Sequence, residues 1–136
     1  MLEQLFHKNV SSWFKDVVGT PTEIQQQAWN SIQQKKHTLI SAPTGSGKTL
    51  AAFLSIIDEM VKNAEAGKLA QHTTVVYVSP LKALSNDVHK NLQLPLSGIK
   101  GIFEKNSHTS IDIQVALRTG DTTSSQRTAM FKKPPH

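Results

Sequence analysis

The sequence has 136 residues, the size of one domain with a buried core and with no obvious room for two. Its formal net charge of +5 and pI near 9.6 make a polyanionic partner plausible, although only two of the fifteen basic residues are Arg and the lysines are scattered. The absence of cysteine excludes disulfides and thiolate metal sites, and no apolar run approaches the ~20 residues of a membrane span. With Glu3 and no cleavable apolar stretch at the N-terminus, this composition predicts a soluble, cytoplasmic protein.

Taken in chain order, residues 2–14 read as a short, broken helical segment that leads to the turn signal Gly19-Thr20-Pro21. Thr22 and Gln25 have the spacing of a capping box, and Ile24, Ala28 and Ile32 mark one face of the helix it would open. Residues 38–41 form a short apolar stretch read as a strand. A Gly-containing loop follows, and then Leu50, Phe53, Leu54, Ile57 and Val61 at the three- and four-residue spacing of one buried helical face. After a polar connection around Gly67, the β-branched run 74–78 predicts a second, buried strand. Pro80 starts another helix, marked by Leu84, Val88 and Leu92, which Pro95 is expected to end. Residues 97–110 are expected to be mainly loop, with Ile99, Ile102 and Phe103 packing a short helix at most. Ile111, Ile113, Val115 and Leu117 alternate with Asp112, Gln114 and Ala116, which predicts a third strand before Arg118-Thr119-Gly120-Asp121. Residues 124–131 look helical until Pro134-Pro135. Strand and helix alternating three times imply an α/β domain in which helices flank a parallel sheet and ligands bind at the carboxyl ends of the strands.

The chemistry concentrates in the loop after the first predicted strand: Ala42, Pro43, Thr44, Gly45, Ser46, Gly47, Lys48 and Thr49. A glycine-containing turn there lets successive backbone N–H groups face inward around phosphates, and the following helix adds its positive dipole end. Lys48 is placed to reach the β- and γ-phosphates, and the Thr49 hydroxyl to ligate the Mg2+ that bridges them. This pattern predicts binding of a nucleoside triphosphate, ATP with Mg2+. The six His residues have no metal-ligand spacing, and no Ser, His and Asp arrangement stands out. Asp58 and Glu59, which follow an apolar run, fall about ten residues into the helix, ~15 Å from the phosphates at 1.5 Å per residue. They read as a solvated helical face and not as catalytic carboxylates.

Four motifs in order carry a family resemblance: Pro21-Thr22-x-x-Gln25, the phosphate loop, Ser79-Pro80-Leu81-Lys82-Ala83-Leu84, and Arg118-Thr119-Gly120-Asp121-Thr122. Over about residues 6–136 the chain resembles the first RecA-like domain of a superfamily 2 helicase. It is most similar to the large helicase-related (Lhr) group of DEAD/DEAH-type ATP-dependent helicases, in which the phosphate loop runs on into Leu-Ala-Ala-Phe-Leu, as residues 50–54 do here. The resemblance implies that Gln25 reads adenine through its amide, although its spacing from Thr22 equally suits a helix cap. It implies that an upstream aromatic stacks on the base; Phe14 and Trp13 are the candidates, and either could be core instead. It further implies that Ser79, Pro80, Leu81 and Lys82, with Thr119, Gly120 and Asp121, grip the backbone of a single strand. That strand would be DNA, with RNA not excluded, and 3′ to 5′ movement along it is the family pattern.

In this group a Thr-Pro-Glu and then an Asp-Glu-x-His motif follow a Pro-Pro-His segment such as residues 134–136, and neither is present. The resemblance therefore implies an incomplete first domain over residues 1–136, with no catalytic residue of its own. Hydrolysis would depend on the downstream remainder of a helicase. The alternatives from other classes are a stand-alone nucleotide- or nucleic-acid-binding module without turnover, and an inert truncated remnant. A sheet lacking its middle strands would expose apolar edges, which predicts weak stability or aggregation.

Overall fold

The computed structural model describes residues 2–80, 82–107 and 110–136, and the secondary structure among them is helical. Six helices follow one another: α1 (Leu2–Leu5), α2 (Lys8–Val17), α3 (Glu23–Gln33), α4 (Lys48–Glu65), α5 (Lys82–Ser107) and α6 (Ser124–Lys132). None is long and apolar enough to cross a membrane. The break expected in the first segment falls at Phe6-His7. The His7 backbone is extended there, and its side chain accepts from the Asn9 N–H to cap α2.

The core forms where α2, α3, α4 and α5 meet. Phe53, Leu54, Ile57 and Val61 of α4 are buried as their spacing foretold, with Leu50 partly buried beside them. Each such side chain contributes on the order of 1.5–3 kcal/mol through removal of apolar surface from water. On α3 the buried face is Gln25, Ala28 and Trp29, rotated by about one residue from the Ile24, Ala28 and Ile32 face expected. The indole, being larger than either isoleucine, takes the inward position. It lies edge-on to Phe6 at 4.9 Å and to Phe14 at 5.5 Å between ring centroids.

Asp58 departs from its sequence reading. It is only 3% exposed, accepts the His7 backbone N–H at 2.6 Å, and pairs with Lys62 at 2.6 Å. The carboxylate thus caps the turn into α2 from a different helix, a long-range role with no trace in local spacing. Its neighbour Glu59 is exposed and paired with Lys35 at 2.7 Å.

The α/β reading with a parallel sheet is corrected: no strand occurs among the described residues. Segments 38–41, 74–78 and 111–117 carry no ladder, and Leu39, Val76 and Val78 are 93%, 77% and 82% exposed. Apolar alternation and β-branching report how a residue suits a pleated surface, whereas a strand exists only when a second backbone pairs with it. What pairing there is runs through the last residues. Thr74 and Val75 N–H donate to the His136 carbonyl at 2.7 and 3.0 Å, and His136 N–H donates to the Gln114 carbonyl at 2.9 Å.

A second correction concerns residues 97–110. Instead of ending at Pro95, α5 continues through it to Ser107, so most of the expected loop is helix. Proline in a helix interior forfeits one hydrogen bond and crowds the preceding turn. Here its ring is fully buried, next to Leu92, Leu96, Ile99 and Phe103 on the face of α5 turned to the core. Packing of that face outweighs the local penalty. Trp13 of α2 rests on Gly98 of α5, where a Cβ would stand 2.2 Å from the indole Nε1.

Candidate functional site

The loop 42–49 follows residues 38–41, which form no regular element, and ends on α4, whose first residue is Lys48 and whose N-cap is Gly47. Gly45 and Gly47 have φ of +80° and +84°, in the left-handed region that only glycine enters without steric cost. Two such turns two residues apart fold the loop back on itself, and Ser46 N–H reaches the Pro43 carbonyl at 3.4 Å. The Lys48 ammonium donates to the carbonyls of Ala42 and Pro43, the latter at 2.7 Å, and so spans the mouth of the loop. Thr44, Gly45 and Thr49 are exposed. The loop therefore presents a helix N-terminus, a cation and an exposed hydroxyl within eight residues, a set of groups suited to a phosphate and its cation.

Two residues of the α3 cap hold this loop. Thr22 and Gln25 form the complete capping box that their spacing foretold. Each also crosses to the loop: Thr22 Oγ1 donates to the Ser46 carbonyl at 3.1 Å, and Gln25 Nε2 donates to the Gly47 carbonyl at 3.4 Å. Gln25 is 2% exposed, its Oε1 accepting the Thr22 N–H at 3.0 Å. The contact with the loop is close enough that a Cβ on Gly47 would stand 2.4 Å from Gln25 Nε2. Sequence reasoning placed Gln25 at the site but missed Thr22 as a loop contact, because nothing in a capping box says what its hydroxyl meets on the far side.

The aromatic candidates are elsewhere. Phe14 is 0% and Trp13 4% exposed; Phe14 is spent on the edge of Trp29 and Trp13 on Gly98. Neither offers a free ring face to a base.

Of the proposed strand-gripping residues, Ser79 is half-buried and Pro80 exposed. Leu81 and the side chain of Lys82 lie outside the described residues. Thr119, Gly120 and Asp121 form a turn in which Thr119 N–H donates to Thr122 Oγ1 at 2.8 Å and Asp121 N–H to Thr119 Oγ1 at 3.2 Å. Arg127 reaches back from α6 to the carbonyls of Thr122, at 3.0 Å, and Thr119, at 3.4 Å. Sequence reasoning missed Arg127; the available signal was the capping box of Thr123 and Gln126, which fixes where the first turn of α6 points. Among the described residues, no cluster of His, Asp and Glu could hold a metal ion, so a cation at this site would rest on Thr49 and the phosphates themselves.

Comparison with known proteins decides the family. The model of the DEAD/DEAH box helicases matches residues 22–136, most of the chain. The chain belongs to the DEAD/DEAH box helicase family. It is similar to the ATP-dependent helicase Lhr-Core of Methanothermobacter thermautotrophicus, 46% identical over 135 residues, which cover 99% of this chain and 16% of that protein. The Lhr helicase/uracil glycosylase of Escherichia coli is 37% identical, over 99% of this chain and 9% of its own length. A solved structure of the Mycobacterium smegmatis helicase Lhr bound to ssDNA and AMP-PNP superimposes with a TM-score of 0.88 at 44% identity, covering 98% of this chain and 16% of that one. These relatives agree with the Lhr resemblance carried by the four motifs. The chain spans at most 16% of their length.

Proposed function

We propose that this chain is the ATP-binding portion of an Lhr-type helicase, taking ATP with Mg2+ on loop 42–49 and single-stranded DNA on residues 79–82 and 119–121. The observation that carries the reading is the loop itself: two left-handed glycines, Lys48 at the first position of α4, and Thr49 exposed beside it. In this reading Lys48 exchanges the carbonyls of Ala42 and Pro43 for phosphate oxygens, an exchange of neutral acceptors for charged ones that favours the bound state. The Thr49 hydroxyl ligates Mg2+, which supplies charge neutralisation at the phosphates. Gln25 reads adenine through the second N–H of its Nε2 and the remaining lone pair of its Oε1, keeping its contacts with Gly47 and Thr22.

The strand-gripping role is supported by the ssDNA in the Lhr neighbour and by the surplus of positive charge here. Contacts to backbone rather than to base edges would make that binding weakly sequence-dependent and salt-sensitive. Hydrolysis in this reading draws on carboxylates outside these 136 residues, and the cysteine-free composition suits the cytoplasm. The test is a titration of the chain with a fluorescent ATP analogue and Mg2+, competed with unlabelled ATP. Saturable, competed binding is expected; its absence from folded chain would overturn the proposal.

A further inference from the structure

We propose that Trp29 is a positioning residue for the phosphate loop, acting through the carbonyl of Ala51. The inference rests on the nucleotide-binding reading above and concerns a residue that none of the four motifs contains. Trp29 Nε1 donates to the Ala51 carbonyl at 3.0 Å, a buried bond between residues 22 apart in sequence. Ala51 lies in the first turn of α4, and its own N–H closes that turn on the Gly47 carbonyl at 2.9 Å. The indole is 0% exposed and wedged against Phe6 and Phe14, so its N–H has a fixed direction.

Gln25 and Trp29 stand one turn apart on the same buried face of α3, and their acceptors, Gly47 and Ala51, stand one turn apart at the start of α4. Two bonds at matched spacing fix both the axial position and the rotation of the first turn of α4; one alone would leave it free to pivot. Lys48 and Thr49 lie between the two acceptors, so their orientation toward a phosphate is set by this clamp. The bond is not needed to satisfy Ala51, whose carbonyl also accepts the Ser55 hydroxyl at 3.2 Å. Loss of the indole N–H should therefore be felt in the placement of the loop more than in stability.

The test compares the chain with its Trp29→Phe, Phe103→Leu and Lys48→Ala variants, measuring affinity for the fluorescent ATP analogue with Mg2+ and the thermal midpoint of each. Phe103 is fully buried on α5, away from the clamp, and serves as a control for destabilisation alone. Trp29→Phe should lose about three- to tenfold in affinity, the worth of one hydrogen bond, with a midpoint no lower than that of Phe103→Leu, whose affinity should stay within about twofold. A second readout uses Trp13→Phe, which leaves Trp29 as the sole indole. Its emission should shift on saturation with ATP and Mg2+, and that shift should vanish when Lys48→Ala is added. Unchanged affinity in Trp29→Phe, or affinity losses that merely follow midpoint in both core variants, would overturn the positioning role while leaving nucleotide binding intact. Failure of the unaltered chain to bind would overturn the nucleotide reading, and this proposal with it.

Discussion

Gln25 Nε2 donates to the carbonyl of Gly47 across 22 residues of sequence, so the residue that completes the cap of α3 also touches the N-cap of α4. The contact makes the phosphate loop dependent on a helix that shares no residue with it. Gly47→Ala should be more damaging than Gly45→Ala for this reason. Both positions have positive φ, which costs a residue with a Cβ about 1–2 kcal/mol. At Gly45 nothing lies within 4 Å of the added carbon, whereas at Gly47 it would displace Gln25. Thermal melts and nucleotide titrations of the two variants should differ in that order; equal losses would mean that the Gln25 contact adds nothing.

Thr22 and Gln25 each serve one cap and one loop carbonyl, so their contributions are shared. Thr22→Ala should cost about 1 kcal/mol as a lost N-cap, and Gln25→Ala a similar amount. The double variant should cost clearly less than the sum, as expected of residues in one network. Denaturant unfolding of the three variants measures the coupling, and strict additivity would contradict the shared role.

Asp58 offers a test of the core away from the loop. Asp58→Ala leaves the His7 N–H without its acceptor and Lys62 with only the Leu5 carbonyl, and should cost about 1–3 kcal/mol in chemical denaturation. Asp58→Asn keeps an acceptor of the same shape and should cost less. If the two variants proved equally mild, the capping role of this carboxylate would fall.

How far the sequence foretold the structure follows from the range over which each feature is decided. The glycine turn of loop 42–49, the Thr22 and Gln25 cap, and the apolar face of α4 are set by residues within a few positions of one another, and all are where the spacing put them. The features that failed depend on distant partners. A strand at 74–78 needs a second backbone, the course of α5 past Pro95 depends on the core its far half packs against, and Asp58 is buried because His7 presents an N–H 51 residues away. Trp13 and Phe14 were ambiguous because an aromatic near a binding loop has the same local signature whether it faces a ligand or the core.

Leu39, Val76, Val78 and Phe131 are exposed apolar residues, and the chain is expected to self-associate through them. Replacing Val76 and Val78 together by Lys should raise the concentration at which the chain stays monomeric in sedimentation, with little change in helical content. Undiminished association in that variant would place the sticky surface elsewhere.

The central claim is that loop 42–49 holds a nucleoside triphosphate, and the most direct measurement is equilibrium binding of a fluorescent ATP analogue with Mg2+ to the chain and to Lys48→Ala. Removing the ammonium should abolish or reduce binding by at least about a hundredfold, the scale of a charge-assisted contact worth roughly 3 kcal/mol, while the helical signal is unchanged. Equal affinity in the two proteins, both folded, would contradict the assignment of the loop and the functional reading built on it.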